Sequence, residues 1–164
     1  VYGAALAPTS AWQVLQGIET LPLRMERHCA NALAVARFLQ SHPRVGWVNY
    51  PGLPDHPQHG LVVRQMRPVG GVPGASGLLA FGVRGGLSAG IAFIEAAQLM
   101  SHLANIGDTR TLVIHPASTT HRQLDEAQQL AAGVPHDMVR ISVGLEHIDD
   151  ILWDIDQALS ASAA

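Results

Sequence analysis

Three short apolar runs constrain this chain most: SGLLAFGV (76–83), TLVIH (111–115) and MVRISVG (138–144). Each is strand-like in length and bounded by glycine, proline or polar residues, and between them lie stretches whose apolar residues recur three or four apart. Strands interleaved with amphipathic helices must bury one sheet face against those helices, so the expected class is α/β or α+β, a small sheet with helices packed on one face. With 164 residues, 48% of them apolar, the chain fits one domain with its own core.

The helical stretches carry recognisable ends. Ser10 and Gln13 have capping-box spacing for a helix starting near Ala11, with Trp12, Leu15, Ile18 and Leu21 on one face. A second helix is expected from Pro22 to about Gln40, carrying Leu23, Met25, Leu33, Val35 and Phe38, with Arg24, Glu26, Arg27 and Arg37 mainly on the wet side. A short strand should span Val45 to Asn49, and one helical turn should lie around Gly60 to Met66. Gly85 to Ala89 read as a turn before a helix that holds Ile91, Phe93, Ile94 and Leu99. Thr120 and Gln123 repeat the capping-box spacing before a helix that stops at Gly133. In the last helix Ile148, Ile151, Leu152, Ile155 and Leu159 share a face, with Glu146, Asp149 and Asp150 near the favourable end of its dipole.

Composition excludes several functions. The net charge is −3 and the basic residues are scattered, so no stripe follows a phosphate backbone and nucleic acid is not an expected partner. No apolar stretch approaches the ~20 residues a membrane span needs. The single cysteine, Cys29, gives no disulfide framework and suits the cytoplasm. All ten basic residues are arginine, so chemistry that requires a lysine amine, such as a Schiff base to a carbonyl cofactor, cannot be completed by this chain. It opens at Val1 instead of a methionine, which suggests a piece of something longer.

The stretch NIGDTRTLVIHPASTTH (105–121) is the densest in unusual residues. His115 and His121 do not share a helix face, Pro116 intervenes and no glutamate or cysteine completes a set, so no metal site is expected. Both imidazoles read as turn-holding groups, and the other histidines, His28 among them, as solvated residues at helix ends or in loops. Ser118, Thr119 and Thr120 lack a glycine-flanked elbow and an oriented base. The glycines of VGGVPGASG fit neither a dinucleotide nor a Walker loop and read as a structural turn.

Arg140 is different. Strand alternation puts Val139, Ile141 and Val143 on one face and Arg140 and Ser142 on the other. A guanidinium in an apolar strand must meet an anion, because an unpaired buried charge is too costly. Two partners satisfy that demand: an internal carboxylate such as Asp108 or Glu146, or a ligand carboxylate held by two parallel hydrogen bonds.

Taken together, ETLPLRMERH, VNYPGL, SHLANIGDTRTLVIHPASTTH and VRISVGLEHIDDILWDIDQAL resemble the C-terminal part of the cysteine/methionine-metabolism family of pyridoxal-phosphate enzymes. The resemblance covers nearly the whole chain. HLANIGD and EHIDDI are most similar to the O-acetylhomoserine sulfhydrylase branch, and APTSAW lacks the Asn/Asp spacing of some lyases in the family. The resemblance implies the C-terminal domain of the fold-type I transferases, with a small, mostly antiparallel sheet and the larger cofactor-binding domain outside this chain. It implies that Arg140 grips the α-carboxylate of an amino-acid substrate, O-acetylhomoserine in that branch, with sulfide or a thiol as co-substrate. By the same resemblance Asn105 helps hold that carboxylate, Thr120 lies near the pocket wall, and His115 and His121 frame it. Pyridoxal phosphate would serve the complete enzyme, its attachment lysine lying elsewhere, and a homotetramer in the cytoplasm is expected. Two alternatives stand beside this: a cystathionine γ-synthase or lyase domain, and a non-catalytic folding or assembly fragment.

Overall fold

The computed structural model describes residues 5–162. Helix α1 (Pro8–Glu19) begins with Pro8 in its first turn, where the missing N–H costs nothing, and has no side-chain cap. The Ser10–Gln13 capping box therefore does not form, since Ser10 already lies inside the helix. Helix α2 (Leu21–Ser41) follows directly, with Pro22 again in the first turn. It changes character along its length. Leu21 and Leu23 are exposed, whereas Ala32, Val35, Ala36 and Leu39 are wholly buried.

The remaining elements are β1 (Val45–Asn49), α3 (His59–Gln65), β2 (Leu78–Val83), α4 (Gly86–Ala96), β3 (Ser101–His102), β4 (Leu112–Ile114), a 3₁₀ turn (Pro116–Ser118), α5 (Glu126–Ala131), β5 (Met138–Ser142) and α6 (Ile148–Ala161). The strands form one sheet in the order β1-β2-β5-β4-β3, antiparallel throughout except for the β3–β4 pair. The mostly antiparallel sheet expected from the resemblance is present. Leu79, Phe81 and Val83 of β2, Val113 of β4 and Val139 and Ile141 of β5 join the core with residues of α2, α4 and α6. Burial of each such side chain contributes about 1.5–3 kcal/mol. Phe81 meets Phe93 of α4 edge to face, with centroids 5.6 Å apart.

Several boundaries differ from the sequence expectation for local reasons. Helix α4 starts at Gly86, one residue after a left-handed Gly85 (φ 116°), so the expected turn shrinks to that glycine, and Leu99 falls beyond the helix end. Helix α5 is capped by Asp125, whose carboxylate accepts from Gln128 N–H while the Gln128 side chain returns to Asp125 N–H. Asp125 and Gln128 supply the reciprocal box, and Thr120 and Gln123 do not. Strand β3 is two residues long, too short to register as a pattern. At α6, Asp149 and Asp150 occupy the first turn as expected, while Glu146 precedes the helix and turns to other partners.

The apolar face of α1 exists but stays uncovered among the described residues: Trp12 is 61% exposed, and Leu15 and Ile18 are also in the open. None of the described helices is long and apolar enough to cross a membrane.

Candidate functional site: an arginine wall

Strand β5 runs through the middle of the sheet, paired with β2 on one side and β4 on the other. Arg140 sits opposite Ala80 of β2 and Ile114 of β4, so its immediate neighbours across the strands are small or aliphatic. The side chain is half-buried. Its Nη2 donates to the Asn105 carbonyl at 3.3 Å, and its buried Nε has no partner. Among the described residues no carboxylate lies within ion-pair distance of it.

The two internal carboxylates offered by the sequence are both engaged elsewhere. Asp108 accepts from Arg110 N–H at 3.0 Å and faces Arg110 Nε at 3.4 Å; the Arg110 backbone N–H, then its side chain, hold this carboxyl below the usual range. Glu146 accepts from Thr111 N–H at 2.6 Å and from the Thr111 hydroxyl at 2.8 Å. The Thr111 oxygen in turn accepts from Gly144 N–H, and Leu145 N–H donates to the Thr109 carbonyl. This seam presses two backbones together at Gly144, where a Cβ would stand 2.5 Å from the Thr109 oxygen, so only glycine fits.

Asn105 lies on the exposed turn after β3. Its Oδ1 accepts from Ile106 N–H at 2.9 Å, an Asx contact that shapes the turn and leaves the amide NH₂ without a partner among the described residues. Gly107 N–H donates to Ser142 Oγ at 3.2 Å, tying that turn to the strand that carries Arg140. The structure thus brings Arg140 and Asn105 together. Thr120 is exposed and bonded to its neighbour His121 (Oγ1 to Nδ1, 2.9 Å), with no hydrogen bond to either of them.

His115 is wholly buried. Its Nε2 lies 2.8 Å from the His136 carbonyl, which can only accept, so Nε2 carries the proton and Nδ1 takes a hydrogen bond from the Ser118 hydroxyl at 2.9 Å. Burial pushes this imidazole below its ordinary pKa. It is a neutral side chain packed against Gly90 of α4. His121 is partly buried, and its carbonyl, with that of Ala117, accepts from Gln129. Among the described residues no cluster of His, Cys, Asp or Glu could hold a metal.

Sequence reasoning missed two participants. His28 is not solvated: it is 2% exposed, with Nδ1 2.6 Å from the Val143 carbonyl. Asn31, one turn further along α2, donates to the Gly144 and Glu146 carbonyls. The signal lay in their spacing of three, which puts both on the helix face that also buries Ala32 and Val35.

A wall that presents one guanidinium beside a backbone turn can receive a carboxylate in two parallel hydrogen bonds. It offers no nucleophile, and with no lysine in the chain it cannot anchor a carbonyl cofactor. The family model for Cys/Met metabolism PLP-dependent enzymes matches residues 1–160. The O-acetyl-L-homoserine sulfhydrylase 1 of Thermus thermophilus is 54% identical over 158 residues, which is 96% of this chain and 36% of that protein. The L-methionine gamma-lyase of Pseudomonas deceptionensis is 45% identical over 161 residues, 98% of this chain and 39% of that protein. In three dimensions the chain is similar to the crystal structure of a putative O-acetylhomoserine (thiol)-lyase from Campylobacter jejuni that holds a pyridoxyl-lysine. The TM-score is 0.85 at 42% identity, over 96% of this chain and 36% of that one. The chain spans little more than a third of the length of these relatives, and it belongs to the Cys/Met metabolism family of pyridoxal-phosphate-dependent enzymes.

Proposed function

We propose that this chain is the C-terminal, substrate-side domain of an O-acetylhomoserine sulfhydrylase, in which Arg140 binds the α-carboxylate of the amino-acid donor. The observation that carries this reading is the half-buried guanidinium with an unpartnered Nε and no carboxylate in reach. A half-buried guanidinium without a counter-charge is costly, and a ligand carboxylate at this place would offset that cost. Asn105, whose carbonyl already touches Arg140 and whose amide is free to donate, is the second carboxylate contact. In this reading Thr120 forms the outer edge of the same wall. Holding the carboxylate at two points fixes how the Cα bonds face the rest of the site, an orientation effect that can supply several kcal/mol.

Pyridoxal phosphate belongs to the complete enzyme, and the residue that attaches it lies outside this lysine-free chain. The chain by itself is accordingly an inactive partner domain. Its open apolar face on α1 favours assembly, with the remainder of the enzyme and with further copies in a homotetramer. A cytoplasmic setting accords with the free, buried Cys29.

The test is Arg140→Ala in the complete enzyme. KM for O-acetylhomoserine should rise about 100-fold while KM for sulfide holds, as expected when one charged contact to a single substrate is removed. An unchanged donor KM overturns the assignment. The 45% identity to a methionine gamma-lyase favours a second branch, elimination without an added thiol. Assaying product with and without sulfide separates the two, since a sulfhydrylase makes homocysteine only when sulfide is present.

A further inference from the structure

The carboxylate grip depends on two segments that are remote in sequence, strand β5 and the turn at residues 105–107; one side chain of α2, His28, holds the residue after β5 and shares a cavity with the turn. His28 is buried, and a carbonyl can only accept, so its contact with the Val143 oxygen at 2.6 Å puts the proton on Nδ1. Val143 N–H is bonded on its other side to the Gly77 carbonyl. Val143 is therefore clamped between α2 and the turn before β2, three residues after Arg140.

The other ring nitrogen, Nε2, is buried and has no partner among the described residues. His28 lines a cavity of about 60 Å³ together with Ser76, Gly77, Ile106, Gly107 and Ser142. That space has room for one or two waters at about 30 Å³ each, and with the proton on Nδ1 the Nε2 atom can only accept. Two of its walls are the segments in question, joined by the hydrogen bond from Gly107 N–H to Ser142 Oγ. One wall is also strained: Ser76 has φ 106°, a conformation that L residues avoid, held by the Tyr50 hydroxyl on its carbonyl at 2.9 Å. Strain of this kind persists only where the surroundings over-determine it.

We propose that His28 is a positioning residue that sets β5 and the Asn105–Gly107 turn in mutual register, so that a substrate carboxylate meets Arg140 and Asn105 together. Nδ1 holds the strand through Val143, and Nε2 takes a hydrogen bond from water in the cavity that also touches Gly107. This rests on the carboxylate reading above.

The experiment compares His28→Leu and His28→Asn, with Arg140→Ala as control, in the complete enzyme. Leucine keeps the volume and loses both hydrogen bonds, whereas the asparagine amide nitrogen falls near the Nδ1 position and restores the bond to Val143. Expected for His28→Leu is a donor KM about tenfold higher with kcat and the sulfide KM unchanged, a loss confined to ground-state binding of one substrate. His28→Asn should recover most of it. Hydrogen exchange on the present chain gives a readout apart from activity: the Gly107 amide should lose protection in the leucine variant and keep it in the asparagine variant. A wild-type donor KM in His28→Leu overturns the proposal, as does a loss shared equally by kcat and both substrates, or no rescue by a folded asparagine variant. If Arg140→Ala also leaves the donor KM unchanged, the carboxylate reading is what failed. If Arg140→Ala raises it and His28→Leu does not, only the role of His28 is wrong.

Discussion

The two faces of the sheet treat charge in opposite ways. On the helical side Asp154 of α6 is completely buried, yet its carboxylate accepts from Gln98, Leu99 and Met100 N–H at 2.8–2.9 Å and from the Gln157 side chain at 2.8 Å. On the opposite side Arg140 is less buried but worse satisfied, with one 3.3 Å contact and an orphaned Nε. Burial alone does not separate these two charges. Satisfaction does: the fold closes on Asp154 and stops short of closing on Arg140.

Removal of Asp154 should give the largest effect on folding. Asp154→Ala leaves three backbone donors of the 98–100 segment without their acceptor, and this segment leads into β3. Charge-assisted hydrogen bonds of this kind are each worth about 1.5–3 kcal/mol, partly recovered by water at the exposed Gln98 and Leu99, so a net loss of about 3 kcal/mol is expected. Urea unfolding of the two proteins measures it. A change below about 1 kcal/mol would mean that the helical side is no better satisfied than the arginine side, and the contrast would collapse.

A smaller effect comes from His115, buried and neutral against α4. Its folded pKa is lowered by burial from an ordinary value of 6.5, so the unfolded chain binds more protons as pH falls. The contribution is complete above pH 6.5 and is lost progressively below it, at no more than about 1.4 kcal/mol per pH unit for one group. Denaturant midpoints at pH 7.5 and 5.5 should therefore separate for the native chain and converge for His115→Gln, whose amide can still donate toward the His136 carbonyl. An equal separation in both would place the acid sensitivity elsewhere.

How far these features could be read beforehand follows from the same distinction. Alternation in VRISV put Arg140 and Ser142 on one side and Val139 and Ile141 on the other, as the strand shows, because β5 pairs with both neighbours without a shift of register. Which partner Arg140 meets was not legible, since Asp108 and Glu146 become unavailable only through Arg110 and Thr111, contacts that spacing does not encode. Caps failed for a related reason: a Ser or Thr three residues before Gln is common, and local geometry chose Asp125 over Thr120. His28 and Asp154 were misplaced or overlooked because polarity argued for solvent, although both share helix faces with buried residues. Asp154 lies between Ile151 and Ile155, and its position carried the signal that its chemistry concealed.

The smallest expected effect is the sharpest for the comparison. Arg140→Met keeps the length and apolar stem of the side chain and removes a guanidinium that the fold barely uses. The hydrogen bond lost is a long one to the carbonyl of an exposed turn, and that carbonyl can turn to water. What is gained is relief of a buried, unpartnered N–H, and apolar replacement of an uncompensated charge tends to be neutral or stabilising. The two contributions nearly cancel, so unfolding of this chain should shift by no more than about 0.5 kcal/mol in either direction. Destabilisation beyond about 1.5 kcal/mol would show that Arg140 is held by the fold as Asp154 is, because a group kept for a ligand can be removed at little cost to folding whereas a group kept for the fold cannot.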